Sequence, residues 1–264
     1  MGGVSETAAR FTAWAEVYRE VWAPVLLPWN LRLLAGLPPA GERVLLDIGA
    51  GVGSLLPTLR ARAGAGGRVV GVDRSLGMLR FAPQGSLVAV MDAEALALRD
   101  ASFDGAVMPF VLFFVPEPVG ALREVTRVLR PGGGLGVAVW GPDRPYPAER
   151  VWTEELDRAG AAPAEPVPRT DEQMNDPEKL SGLLREAGFA EVRAVAEPFE
   201  WAVDADGFLR RYTGMGASAL RYGSLPEEAR AAFLANVRER LAALDPEELV
   251  LRDEVVMAWG RRPG

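Results

Sequence analysis

A short apolar segment that runs into three closely spaced glycines and then into a helix constrains this chain of 264 residues more than any other feature. Val44 to Ile48, interrupted only by Asp47, has the length of a buried central strand. Gly49, Gly51 and Gly53 follow it, and helical spacing resumes over Ser54 to Arg62. A strand that leads through glycines to a helix start presents backbone N–H groups to a ligand with no Cβ in the way. The same order opens the strand–helix–strand unit from which parallel sheets are built.

The alternation continues along the first two thirds of the chain. Strands are expected at Arg68 to Val72, Leu87 to Met91, Phe103 to Pro109 and Leu135 to Trp140, with a helix over Pro118 to Leu129 that Arg130-Pro131-Gly132-Gly133-Gly134 ends. Upstream, Phe11, Trp14, Tyr18 and Trp22 recur at helical spacing, so residues 6 to 22 read as an amphipathic helix that Pro24 and Pro28 break. A second helix is expected from Trp29 to Gly36, and Leu37 to Gly41 as a loop. After Trp140 the composition turns rich in proline and charge, with helices expected around Ala148 to Ala159, Pro177 to Ala187, Ala205 to Tyr212 and Glu227 to Leu244. Strands are expected over Val192 to Val203 and Val250 to Trp259.

Composition narrows the chemistry. Half the residues (49%) are hydrophobic, enough for a substantial core, and the net charge of -7 argues against nucleic acid or an anionic membrane as partner. Cysteine and histidine are both absent. Disulfides, thiolate or imidazole metal sites and serine-histidine triads go with them, and no metal site is expected. Acid-base work falls to Asp, Glu, Tyr, Arg, water or the single lysine, Lys179. The longest apolar run, Val107 to Pro116, is far short of the roughly 20 residues needed to span a bilayer. Met1 to Arg10 lacks the blocks of a signal peptide, so a cytoplasmic location is expected.

The glycine spacing is Gly-x-Gly-x-Gly, which puts Ser54 where the usual dinucleotide fingerprint has its third glycine. Asp47 stands two residues before Gly49, where a carboxylate repels a pyrophosphate and attracts an ammonium or a sulfonium. Asp73, 24 residues after Gly49, ends the second strand, where an acid can accept from both hydroxyls of a ribose. Capping of a helix near Ser75 is the alternative. Asp92-Ala93 follows the third strand, where a carboxylate can accept from a purine amine while the next N–H donates to the ring; helix capping is again the alternative.

Together, Val44 to Gly53, Asp73, Asp92-Ala93, Phe103 to Val107 and the run from Pro116 to Gly133 resemble a class I S-adenosylmethionine-dependent methyltransferase. The similarity is to the ubiquinone/menaquinone-biosynthesis type and to bacterial small-molecule methyltransferases, close over about residues 40 to 140. It implies an α/β fold, a Rossmann-like doubly wound sheet, mostly parallel with an antiparallel last strand, and a helical cap from the N-terminus and insertions. The core would be about residues 40–142, 177–203 and 248–262, the cap about 1–37, 143–176 and 204–247. S-adenosyl-L-methionine would be the cofactor and S-adenosyl-L-homocysteine its product. Asp47, Gly49, Ala50, Gly51 and Gly53 would surround its methionine portion. Asp73 would hold the ribose, Asp92 and Ala93 would read the adenine, and Arg74 and Met78 would lie over that ring. Pro109 would close the site, with Tyr18 or Trp14 in an N-terminal lid.

One departure from the family's pattern bears on the substrate. Where relatives often carry Asn followed by His-His or His-Trp, this chain has Pro109 and Phe113-Phe114. With Phe110, Trp140 and Tyr146, these rings suggest a small apolar or aromatic methyl acceptor bound to a monomer or homodimer, with Asp143, Glu149, Tyr146, Tyr212 and Tyr222 as candidate bases. Two other readings stay open: the cofactor serves a cyclisation or rearrangement without methylation, or the chain is a non-catalytic binding protein. A nicotinamide dehydrogenase is a further alternative.

Overall fold

The computed structural model describes residues 2–37 and 43–264. The loop expected at Leu37 to Gly41 therefore lies, beyond Leu37, outside the described residues. Seven strands form a single sheet: β1 (Val44–Ile48), β2 (Arg68–Asp73), β3 (Leu87–Val90), β4 (Phe103–Pro109), β5 (Leu129–Trp140), β6 (Ala190–Ala202) and β7 (Val250–Arg261). Their order is β3-β2-β1-β4-β5-β7-β6. β1 pairs in parallel with both β2 and β4, and β7 runs antiparallel between β5 and β6. The order reverses between β1 and β4, so the ends of these two strands flank the crevice where open α/β sheets hold ligands.

The helices are α1 (Gly2–Val17), α2 (Ala23–Ala35), α3 (Leu56–Ala63), α4 (Leu76–Leu79), α5 (Pro118–Val128), α6 (Pro147–Arg158), α7 (Pro177–Glu186), α8 (Ala205–Gly214), α9 (Gly216–Gly223) and α10 (Glu227–Ala242). α5 illustrates how they are held: Ala121, Leu122, Val125 and Val128 share one face and are completely buried, while Arg123 and Glu124 face outward or pair. Burying each such aliphatic side chain contributes about 1.5–3 kcal/mol. The main core joins α2, α5 and α7 to the central strands. A second, smaller apolar cluster gathers Trp152 of α6, Phe208 and Tyr212 of α8 and Phe233 of α10.

Two expectations from sequence are corrected, and one helix was not expected. Pro24 and Pro28 do not break the N-terminal helix: a π turn over Tyr18–Trp22 links α1 to α2, Pro24 sits at the start of α2 and Pro28 inside it. The wider turn puts the register change where the proline ring and missing N–H would otherwise clash with the preceding turn. Arg130 to Gly134 belongs to a strand, since Leu129 pairs with Phe103 and Gly134 with Gly105 across an irregular register. Gly132 and Gly133 are also tied to Arg262 by backbone hydrogen bonds of 2.9 Å. Finally, α9 escaped the sequence reading because its ends are glycines and none of its residues is buried. Among the described residues no helix is long and apolar enough to cross a membrane.

Candidate functional site

The chain turns sharply at the end of β1. Gly49 and Gly51 adopt φ of +70° and +54°, a region costly to any residue with a Cβ. The N–H groups of Gly49 and Ala50 both donate to the Val72 carbonyl, at 2.7 and 2.9 Å, fastening the loop to β2. A Cβ on Gly49 would lie 2.0 Å from Val111, so only glycine lets the loop pass the segment after β4.

Asp73 organises the next layer. One of its carboxylate oxygens accepts from Gly51 N–H at 2.9 Å and the other from Ser75 N–H at 2.8 Å. The Ser75 hydroxyl caps α4 by accepting from Met78 N–H and meets the Thr12 hydroxyl of α1 at 2.8 Å. Loop, strand tip and N-terminal helix are thus one hydrogen-bonded unit. Asp47 lies behind it, 1% exposed, and among the described residues its Oδ1 has no hydrogen-bond partner. Burial, and secondarily the charge of Asp73, push its carboxyl up to about 7; burial and the same two carboxylates raise the Tyr18 phenol. A buried acceptor without a donor costs free energy until one arrives. An ammonium can donate to that oxygen and a sulfonium is attracted by its charge, whereas a diphosphate is repelled.

A cavity of about 740 Å³ opens beside this unit. Gly49, Gly51, Asp73, Arg74, Met78 and Ala93 line one part of it, Pro109, Phe110, Phe113, Phe114 and Trp140 another, and Phe11, Trp14, Tyr18 and Trp22 a third. All four rings of the N-terminal stripe therefore face it. At 3.6 residues per turn a step of four overshoots one face by about 40°, and the π turn takes part of that drift back. Phe110 holds φ at +58°, which for a bulky side chain is strained, and its ring packs 4.8 Å from that of Trp140.

Five of the residues expected at the site do not reach the wall. Asp47 lies beneath it, as described. The Ala50 Cβ points at Gly71, and Gly53 packs toward Leu56 and Pro83. The Asp92 carboxylate is turned aside: its Oδ1 accepts from Arg74 at 2.9 Å and from Glu94 N–H at 3.1 Å, leaving Ala93 on the wall. Tyr146 is buried in the second cluster, its hydroxyl accepting from Tyr212 at 3.3 Å.

The far end of the cavity carries groups the motifs did not announce. Arg211 and Asp253 line it beside Asp143, Glu149 and Tyr212. Burial raises the Glu149 carboxyl, with Arg211 pulling it back, and burial together with Asp143 pushes Asp253 up to about 6. No local spacing marks Arg211 or Asp253, because the tertiary fold alone brings α8 and β7 to the cavity. Of the candidate bases, Asp143, Glu149 and Tyr212 reach the wall, and Tyr222 packs against Trp152 and Phe233 instead.

Comparison with known proteins agrees with this geometry. A family model described as a methyltransferase domain matches residues 46–137. The demethylmenaquinone methyltransferase of Renibacterium salmoninarum is 42% identical over 123 residues, 45% of this chain and 50% of that enzyme, so the chain spans half of its length in that match. The demethylmenaquinone methyltransferase of Roseiflexus castenholzii is 31% identical over 211 residues, 74% of this chain and 81% of that enzyme. The crystal structure of the [4+2]-cyclase SpnF superposes with a TM-score of 0.54 at 22% identity, covering 90% of this chain and 82% of that one, a likeness of fold alone. Because the Roseiflexus enzyme matches at 31% identity over 74% of this chain and 81% of its own length, the chain belongs to the S-adenosylmethionine-dependent methyltransferases.

Proposed function

We propose that the chain methylates a small, largely apolar aromatic acceptor at oxygen, nitrogen or carbon, with S-adenosylmethionine as methyl donor. The observation that carries this reading is the polarity of a single cavity. One end is lined by Asp73, with the buried carboxylate of Asp47, whose Oδ1 lacks a donor among the described residues, beneath the wall; Phe110, Trp140 and the N-terminal rings form the adjoining wall, and further polar groups lie at the far end. In this reading the Asp47 charge attracts the donor's cationic end from beneath the wall, and Gly49 and Gly51 admit its methionine portion. Asp73 exchanges its contact with Gly51 N–H for the ribose hydroxyls, and Arg74, Met78 and Ala93 surround the adenine. When bound, the cofactor supplies a methyl group on a positively charged sulfur.

The chain's own contribution is then alignment and dryness. Holding an acceptor in line can supply roughly 7–11 kcal/mol of barrier lowering at best. Phe110 and Trp140 position a flat ring, and the N-terminal helix with the helices of residues 143–176 and 204–247 acts as a cap that excludes water. The relatives named demethylmenaquinone methyltransferases favour a ring-bearing acceptor.

The test is incubation with methyl-labelled cofactor and a panel of phenols, quinols and aromatic amines, alongside calorimetry with S-adenosylhomocysteine. Label in an aromatic product is the expected result. Saturable cofactor binding with label transferred to no aromatic compound would overturn the acceptor assignment.

A further inference from the structure

Four arginines line the cavity among the described residues, and three are engaged: Arg74 by Asp92, Arg144 by Glu254 and Arg169 by Asp171. Arg211 is not. Its guanidinium lies over the Trp22 ring at 4.6 Å and the Tyr212 ring at 4.7 Å, and among the described residues no carboxylate approaches within ion-pair distance and its buried Nε has no acceptor. Glu149 of α6 is close enough to feel its charge yet forms no salt bridge with it. A cation and a carboxylate that face one cavity without touching leave a place for a group that both accepts and donates a hydrogen bond.

We propose that Arg211 and Glu149 form the recognition site for an acidic hydroxyl, a phenol or enol, carried on the flat apolar body of the methyl acceptor. This rests on the acceptor reading above and adds its polar handle. The O–H proton passes to the Glu149 carboxylate, and the electron pair left on oxygen is held by the Arg211 N–H groups. That charge delocalises through the conjugated rings and makes a ring carbon at the donor's end the nucleophile, which forms the new bond to the methyl carbon as the methyl–sulfur bond breaks and the neutral thioether leaves. The path is aromatic throughout: Phe110 meets Trp140 at 4.8 Å, Trp140 meets Trp22 at 6.0 Å, and Trp22 underlies Arg211. A ligand spanning it has more than one ring. Asp143 and Asp253 also face this end, with Arg144 beside them, so its net preference between anion and cation is itself a discriminating measurement.

The probe is 4-nitro-1-naphthol, whose ionised form is distinguished by its visible absorbance, titrated against the whole protein without cofactor. Its methyl ether and 1-naphthylmethylamine serve as neutral and cationic controls. Wild type should favour the bound naphtholate over the neutral form about tenfold or more relative to free solution. Arg211→Gln should abolish that preference while leaving ether binding and S-adenosylhomocysteine affinity unchanged, and Arg211→Lys should keep part of it. Glu149→Gln should bind the naphtholate at least as tightly. Tighter binding of the amine than of the naphtholate, or an unaltered naphtholate preference in Arg211→Gln, overturns the proposal. Because S-adenosylhomocysteine is measured separately, its failure to bind wild type would count against the cofactor reading and not against the Arg211 site.

Discussion

The two ends of the cavity are built in different ways. The end near β1 and β2 comes from one stretch of chain, residues 47 to 93, whose side chains sit at successive strand tips and whose backbone supplies many of the contacts. The far end assembles Trp22, Trp140, Glu149, Arg211 and Asp253 from five separate segments. The first is set by local backbone geometry. The second exists only once the sheet, the N-terminal helix and the later helices have packed. Substitutions should therefore act at the near end through folding and cofactor affinity, and at the far end through the acceptor alone.

The largest expected effect tests the claim about the backbone. Gly49→Ala combines a left-handed residue with a Cβ 2.0 Å from Val111, and together these should cost roughly 2–5 kcal/mol. Urea unfolding measures it. A loss below about 1 kcal/mol would mean that the turn relaxes easily and the near end is no more rigid than the far one.

Asp47→Asn should act in opposite directions on stability and on binding. The wild-type carboxyl is raised from 3.8 to about 7 in the folded protein, so the folded state holds its proton more tightly than the unfolded one. In protein without cofactor the contribution of this group should thus be greatest at low pH and be lost as pH rises from about 4 through 7. Asparagine removes that loss, a gain on the order of 4 kcal/mol above pH 8 that vanishes near pH 4. S-adenosylmethionine affinity should fall in the same variant, most clearly above pH 7, where wild type is ionised. Equal thermal stability of the two proteins across pH would show that Asp47 is not buried as a strained charge.

Asp73→Ala should weaken cofactor binding by roughly 1.5–3 kcal/mol, the value of a charge-assisted hydrogen bond. It also releases Gly51 N–H and Ser75 N–H, so the melting temperature should drop as well. Calorimetry with S-adenosylhomocysteine reads the first effect, and unchanged affinity would sink the ribose role.

How much of this was legible in the sequence follows the same division. The central parallel strands were legible because they are short apolar runs bounded by turn residues, and Asp47, Gly49, Gly51 and Asp73 stood out because the roles proposed for them depend on spacing along the chain. Pro24 and Pro28 misled, since a proline reads as a break until a π turn absorbs it. Asp92 was assigned to the adenine, with helix capping as the alternative, because the sequence does not show that Arg74 reaches it. Arg211 was invisible among 28 arginines, because only the tertiary fold shows that it faces the cavity without an ion pair among the described residues.

The smallest expected effect is the sharpest test of separability. Trp140 stands where the two ends meet, its ring 4.8 Å from Phe110 and 5.1 Å from Phe199. Trp140→Leu keeps an apolar side chain on β5 and removes the aromatic surface, so it should forfeit about 0.5–1.5 kcal/mol of ring contact with the acceptor. KM for aromatic acceptors should rise about two- to tenfold, with the S-adenosylhomocysteine dissociation constant within twofold of wild type. If both constants rise together, Phe110 and its strained backbone transmit the change into the glycine loop through Val111. The cavity would then be one coupled site, and the contrast between a locally encoded end and an assembled one would hold for its folding but not for its binding.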